Sequence, residues 1–209
     1  RQLRDGERAG LRRGRRGRGV AMDASAQTPR MSVEEYLAWS EGREGRHELV
    51  DGHVVAMAPE KAGHVRAKLV AALALQRAIR AAGLPCEAFA DGLGVRLGDD
   101  TLFEPDALVR CGPRLPDDVR TTDDPVVVVE VLSPSTAHRD TGPKLEGYFS
   151  LASLGHYLVL DPDRRRGIHY RRAAGPGRPI LVRLLAPGDR LRLDPPGLEL
   201  VLGDLFEAT

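Results

Sequence analysis

The segment Pro125–Leu132 constrains the fold more than any other part of the chain, because it contains four consecutive valines followed by Glu130. β-branched residues favour extended strands, and a run that is apolar on both faces is typical of a central strand in a covered sheet. Ser133-Pro134 ends the run. We therefore predict a layered fold in which helices flank a sheet built around this strand.

Helix and turn signals precede this strand. Ser32–Glu35 is a capping box that begins a short helix, and Asp51-Gly52 is a hairpin turn between two short strands in residues 47–57. The longest predicted helix runs from His64 to Ala82, and Gly83 can close it. Its side chains at helical spacing are Val65, Leu69, Ala72, Leu73, Gln76 and Ile79.

The rest of the chain is predicted to be mostly strands. A helix begins near Pro143, a suitable first-turn residue, and runs to about Leu154, whereas residues 110–125 form a polar loop. The further predicted strands are Cys86–Ala90, Leu93–Leu97, Thr101–Val109, Tyr157–Leu160, Ile168–Arg171, Ile180–Leu185 and Leu198–Leu202. This order of elements indicates an α/β or α+β fold with a mixed sheet.

The charge distribution divides the 209 residues into two parts. The formal net charge is +1, but residues 1–19 hold eight arginines against Asp5 and Glu7, which leaves 23 basic and 28 acidic residues in the remainder. We predict a disordered Arg/Gly-rich arm over residues 1–30 and one domain over residues 31–209. The arm is either a nucleic-acid-binding segment or an over-extended gene start, and we favour the second explanation.

Several classes of protein are excluded by what the sequence lacks. The two cysteines fit no CxxC spacing and are too few for a disulfide framework. There is no apolar stretch of about 20 residues that could span a bilayer, and no apolar segment of a secretory signal. We therefore expect a cytoplasmic protein that does not bind membranes. Motifs for a nucleophile elbow, a P-loop, a zinc protease and a dinucleotide site are also missing.

Two carboxylates are candidates for a metal site. Glu130 interrupts an apolar strand, where an unpaired charge is unfavourable. Asp106 lies on the preceding predicted strand, and if the two strands are neighbours, both carboxylates project into one space. A close pair of oxygen ligands suits Mg²⁺ or Mn²⁺. The alternative is that Glu130 simply pairs with an arginine at the strand end.

Lys144 is the third candidate, because it occupies the first turn of the helix that follows Glu130 and can reach back over the end of that strand. It is one of only three lysines in the chain, and Tyr148 lies one turn later on the same helix face. The alternatives are an ordinary exposed lysine and a tyrosine ring that packs against the sheet.

These residues carry a resemblance to a known family. The motifs are Glu48-Leu49-Val50-Asp51-Gly52, His64 at a helix start, Glu104-Pro105-Asp106, Val129-Glu130-Val131-Leu132-Ser133-Pro134-Ser135-Thr136, Asp140, Lys144 and Tyr148. From about Ser32 to Leu205, the chain resembles the Uma-type "putative restriction endonuclease" family of the PD-(D/E)XK nuclease superfamily. The resemblance implies a restriction-endonuclease-like fold, a mixed β-sheet core flanked by helices.

The resemblance also implies roles for these residues. Asp106 and Glu130 would be the metal-binding acids, and Glu48 would be a third carboxylate. The usual motif lysine would stand two residues after Glu130, where this chain has Leu132, and Lys144 matches the displaced lysine of the family. His64 and Tyr148 would support the site. At the start of its helix, His64 could instead be a capping or core residue.

The implied activity is that of an endonuclease that uses Mg²⁺ or Mn²⁺ to hydrolyse phosphodiester bonds of DNA, as a homodimer or a higher homo-oligomer. The alternative is a non-catalytic binding or assembly module on a nuclease-like fold. The acidic balance of residues 20–209 and the lack of an obvious basic stripe favour that alternative.

Overall fold

A computed structural model describes residues 29–132, 142–174 and 178–206. The predicted arm therefore lies outside the described residues except for Arg30 and its neighbour, as does the Ser133-Pro134 dipeptide. Within the described residues the α-helices are α1 (Val33–Ser40), α2 (Ala62–Ala82) and α3 (Pro143–Ser150), and a 3₁₀ turn covers Leu202–Leu205.

The strands in chain order are β1 (His47–Val50), β2 (His53–Ala56), β3 (Cys86–Ala90), β4 (Gly94–Arg96), β5 (Leu102–Phe103), β6 (Ala107–Cys111), β7 (Thr121–Thr122), β8 (Pro125–Val131), β9 (His156–Asp161), β10 (Arg166–Arg172), β11 (Ile180–Leu185), β12 (Arg190–Leu193) and β13 (Leu198–Val201). They form a six-stranded sheet, a five-stranded sheet and a two-stranded hairpin.

The six-stranded sheet has the order β11-β10-β9-β8-β6-β3, so β8 is a central strand as predicted. It pairs in parallel with β9 and antiparallel with β6, which makes the sheet mixed. Val127 and Val129 pack on one face with α2 and the β12–β13 hairpin, and Val128 packs on the other with α3. Both faces of β8 are thus buried, which explains why its sequence is apolar apart from Glu130.

The five-stranded sheet has the order β2-β1-β5-β4-β7 and carries α1 on one side. Val33 and Tyr36 of α1 pack with Leu49 and Leu102 in a small separate core. The predicted capping box is present, because Ser32 and Glu35 exchange side-chain and backbone hydrogen bonds. The predicted hairpin is also present, and both of its turn residues have positive φ, as a tight β-hairpin turn requires.

The prediction of a single strand over Thr101–Val109 is wrong. The segment forms β5 and β6, which belong to different sheets. Pro105 lies between them, and proline has no N–H to donate to a continuous ladder. Asp106 is therefore not part of a regular strand and stands immediately before β6.

The prediction of which side of α2 is buried is wrong in part. Val65, Leu69 and Leu73 are 50%, 53% and 41% exposed. The buried side instead holds mostly small residues, which let the helix lie close to the sheet: Ala71, Ala72, Ala74, Leu75 and Ile79. Predicted and observed sides share Ala72 and Ile79, and the buried side also includes a lysine, Lys68.

Three further features of the structure were not predicted from the sequence. The strands β7 and β12 were not predicted, and α3 ends at Ser150 rather than near Leu154. Cys86 and Cys111, for which the sequence indicated no framework, face each other across β3 and β6 and form a disulfide. No helix of the described residues is long and apolar enough to cross a membrane.

Candidate active site

Four of the predicted site residues meet where the two large sheets approach α3. Glu48 comes from β1, Glu130 from β8, and Lys144 and Tyr148 from α3. All four are buried, with relative exposures of 1%, 3%, 5% and 0%. Buried ionisable groups are stable only when they are paired or bound to a cation, so these side chains form one polar unit inside the protein.

Lys144 joins the two carboxylates. Its Nζ lies 2.9 Å from Glu48 Oε1 and 2.9 Å from Glu130 Oε1. Burial by itself lowers the pKa of the lysine, but attraction to Glu130 and Glu48 outweighs burial and raises the pKa above its usual value. Lys144 is therefore a permanent cation. The alternative of an exposed helix lysine is wrong.

Tyr148 donates a hydrogen bond from its hydroxyl to Glu130 Oε1 at 2.9 Å. Burial, and then the charge of Glu130, raise the pKa of the phenol well above its usual value, so the hydroxyl keeps its proton. The ring also packs edge-to-face on Phe103, with centroids 5.4 Å apart. Both interpretations of this tyrosine, a packed ring and a site residue, therefore describe contacts that the side chain makes.

The close approach of α3 to the smaller sheet depends on Gly147. A Cβ atom at this position would lie 2.9 Å from side-chain atoms of Leu97 and Phe103. Such a contact is shorter than packed carbon atoms tolerate. Glycine thus lets the helix come near enough for Lys144 to reach a carboxylate on each sheet.

Asp106 binds a different set of partners at the neighbouring strand end. Its Oδ2 accepts a hydrogen bond from the Val131 N–H at 2.6 Å, and its Oδ1 lies 2.7 Å from Lys68 Nζ. His64 Nε2 is 3.8 Å from Oδ2. Since Val131 follows Glu130 directly, Asp106 and Glu130 lie beside the same end of β8, one toward α2 and the other toward α3.

Lys68 also contacts Glu60 and Asp91, the latter at 3.4 Å. Burial lowers the pKa of Lys68, but its contacts with Asp106, Glu60 and Asp91 outweigh burial and raise it. Arg46 extends the network by contacting Glu60, Asp91 and Glu104.

The backbone closes the network, because the N–H of Glu104 donates to Glu48 Oε1 at 3.1 Å. Among the described residues, these contacts connect the carboxylates of Glu48, Glu60, Asp91, Glu104, Asp106 and Glu130 with the cations Arg46, Lys68 and Lys144. Glu48, Asp106 and Glu130 are the buried acids of this network, and Lys68 and Lys144 are its buried cations.

One part of the network has the ligand set of a metal site. The ligand atoms of Glu60, His64 and Asp106 lie within 4.8 Å of one another. The two carboxylates suit Mg²⁺ or Mn²⁺, and an imidazole is a ligand for transition-metal ions, so the residues present fit a divalent metal ion. His64 lies on α2 with its ring toward Asp106, which favours the site role over a capping role.

Sequence reasoning missed Glu60, Asp91, Arg46, Glu104 and, above all, Lys68. One signal was available, since Lys68 is one of the three lysines and lies four residues after His64. Residues at that spacing share a helix face, so the histidine assigned to the site also indicated the lysine.

The chain matches the family model described as "Putative restriction endonuclease", Uma2, over residues 33–203. The chain belongs to this family. A protein of Synechocystis sp. (strain ATCC 27184 / PCC 6803 / Kazusa), "Uncharacterized protein slr1290", is 32% identical over 142 residues, which are 68% of this chain and 74% of the relative. The match to the Uma2 family extends across both large sheets and includes every predicted site residue.

A solved structure shares the fold. It is that of a "putative nuclease belonging to DUF820" from Anabaena variabilis ATCC 29413, with a TM-score of 0.65 and 16% identity over 84% of this chain and 97% of the other. The predicted fold class, a mixed α+β core of the restriction-endonuclease-like type, is thereby confirmed. Family membership supports a nuclease-like function for this Uma2 protein.

Proposed function

We propose that this Uma2 protein is an endonuclease that hydrolyses phosphodiester bonds of DNA with Mg²⁺ or Mn²⁺. The observation that supports this proposal most is the group of Glu60, His64 and Asp106, whose ligand atoms lie within 4.8 Å of one another and fit a divalent ion. A metal-dependent hydrolase needs such a ligand group to hold its ion, whereas a non-catalytic module does not. The fold and the family description agree with this choice.

Asp106 and Glu130 are the proposed metal-binding acids. Glu60 and His64 are proposed as further ligands beside Asp106 on the α2 side, where the ligand atoms of these three residues lie within 4.8 Å of one another. When bound, a divalent ion would neutralise the scissile phosphate and lower the pKa of a coordinated water. Asp106 is held for this task by the Val131 N–H, which fixes one of its two oxygens at the end of β8.

Lys144 is the proposed catalytic lysine. Its ammonium holds Glu48 and Glu130 at 2.9 Å each, so it fixes two carboxylates of the site and stands beside them as a permanent positive charge. In this position it can orient the attacking water or offset the charge that develops on the phosphate. Tyr148 fixes the orientation of Glu130 through its hydroxyl, which stays protonated.

The proposal is tested by nicking of supercoiled plasmid DNA in Mg²⁺ and in EDTA. Wild type should nick only with the metal, and Glu130→Gln and Lys144→Met should each lose activity by on the order of 100-fold. Glu199→Gln is the matched control, since Glu199 is an exposed strand glutamate outside the network. Equal nicking by all four proteins would show that the activity comes from a contaminant or from another site.

We also propose that the protein acts as a homodimer, because an enzyme that cuts both DNA strands uses two sites. β11 ends the order of the six-stranded sheet and exposes apolar side chains: Ile180, Leu181, Val182 and Leu184, at 41–78%. If β11 of a second copy paired with it in antiparallel orientation, it would cover these side chains and bind the unpaired backbone groups of the edge strand. Light scattering after gel filtration should give a dimer mass for wild type and a monomer mass for Leu184→Lys. A monomeric wild type would contradict this proposal.

A further inference from the structure

Lys68 is a buried lysine to which the proposed chemistry assigns no task. Its side chain is 3% exposed, and its Nζ lies 2.7 Å from Asp106 Oδ1 and 3.4 Å from Asp91, with Glu60 in direct contact. Three carboxylates thus surround one ammonium at the α2 side of the network. An isolated ammonium at such a depth would be unfavourable, so the contacts with these oxygens hold it there.

Two of the same carboxylates belong to the group that fits a divalent ion. Glu60 and Asp106 each supply a carboxylate to that group, and His64 supplies the imidazole. Mg²⁺ binds oxygen at about 2.0–2.1 Å, and an ammonium binds it at about 2.7–2.9 Å. Two cations on the same two carboxylates repel each other. The ammonium and the metal ion are therefore alternative occupants of these carboxylates.

Helix α2 carries both the proposed metal ligand His64 and the competing ammonium of Lys68. His64 and Lys68 are four residues apart on α2 and share a face, and both contact the Asp106 carboxylate, at 3.8 Å and 2.7 Å. The lysine stem is flexible, and Asp91, whose side chain is 36% exposed, lies on the outer side of the ammonium. A displaced ammonium thus keeps one acceptor.

We propose that Lys68 is a positioning residue that keeps Glu60, His64 and Asp106 assembled in the metal-free protein and leaves Asp106 when a divalent metal ion binds there. Lys68 thereby sets the metal affinity of the site. The proposal rests on the proposed function, because it requires Asp106 to be a metal ligand. Removal of the ammonium should leave the carboxylates in need of a cation, so the metal should bind more tightly.

The test is a titration of the full chain with Mn²⁺, in which electron paramagnetic resonance measures the free ion. Lys68→Met should bind Mn²⁺ at least tenfold more tightly than wild type, and Lys68→Arg, which restores the positive charge, should return toward the wild-type value. Lys61→Met is the matched control, since Lys61 precedes the same helix, is exposed and makes no side-chain cap bond. It should stay within twofold of wild type.

Thermal unfolding provides the second readout. Without metal, Lys68→Met should melt below wild type, and saturating Mn²⁺ should raise its melting temperature by more than it raises that of wild type. If Lys68→Met does not fold without metal, as judged by circular dichroism, Lys68→Gln takes its place in both measurements. Mn²⁺ affinity that is unchanged or weaker in the substituted protein would overturn the proposal and leave Lys68 as a structural counter-ion.

Asp106→Asn separates this inference from the function on which it rests. If Mn²⁺ binding does not depend on Asp106 in any background, the proposed metal site itself fails. If binding is lost in Asp106→Asn but is not tightened by Lys68→Met, only the role of Lys68 fails. Tightening by Lys68→Met that Asp106→Asn abolishes would support both.

Discussion

Lys144→Met is a substitution with a large expected effect on stability, because it removes the ammonium between two buried carboxylates. Glu48 and Glu130 are 1% and 3% exposed, and each lies 2.9 Å from the ammonium nitrogen. Methionine has a similar length and keeps the packing of the stem. Removal of one partner from a buried ion pair typically reduces the free energy of unfolding by about 3–5 kcal/mol. At about 2–4 °C per kcal/mol for a chain of this size, the melting temperature should fall by roughly 6–20 °C.

The measurement is urea unfolding at pH 7 without divalent ions, followed by circular dichroism. Lys61→Met is the control for a change of an exposed lysine and should stay within about 0.5 kcal/mol of wild type. The double substitution Lys144→Met/Glu130→Gln should be less unstable than the sum of the two single changes, because it removes a charge from each side of the pair. A loss below about 1 kcal/mol in Lys144→Met would refute this reasoning, since it is the value of a solvated surface pair.

Two further predictions concern stability. His156 Nδ1 and His169 Nε2 lie 2.9 Å apart, and burial lowers the pKa of each to about 4. The histidines of the unfolded chain have a pKa near 6.5, so below that pH the unfolded chain takes up protons that the folded pair does not. The free energy of unfolding should therefore be highest above pH 6.5 and should fall by about 3 kcal/mol or more toward pH 4. Urea titrations at several pH values check this, and a loss that His169→Gln does not reduce would contradict it. Gly147→Ala should destabilise by about 1–3 kcal/mol through its contacts at 2.9 Å, whereas Gly63→Ala, in open space on α2, should not; equal melting temperatures of the two variants would be the opposite result.

Local signals in the sequence predicted the frame of the fold. The capping box at Ser32, the Asp51-Gly52 turn and the valines of β8 each specify structure through neighbouring residues, and the structure has all three. The break at Pro105 is also a local signal, but the apolar residues on both sides of it continue the pattern of a single strand.

The site could be predicted only where its residues are close together in the sequence. Glu130 lies on β8, and Lys144 and Tyr148 lie on α3, only 14 and 18 residues later in the chain. Their meeting could therefore be predicted from the order of the elements. The pairing of Lys68 with Asp106 joins residues 38 positions apart through the way α2 lies on the sheet. That pairing depends on which side of α2 is buried. The buried side is the one with the small alanines, and the larger Leu69 and Leu73 are exposed.

A second Pro-Asp dipeptide in the chain provides the most direct test of the proposed metal-dependent cleavage. Asp106 follows Pro105 in the network, whereas Asp117 follows Pro116 on the surface, with a side chain that is 89% exposed. The measurement is the single-turnover rate constant for cleavage of labelled duplex DNA across a Mg²⁺ titration. Asp106→Asn should reduce the rate constant by on the order of 100-fold at any Mg²⁺ concentration, and Asp117→Asn should leave it unchanged. Equal rate constants for the two variants, or cleavage that needs no divalent ion, would contradict a metal-dependent site at Asp106.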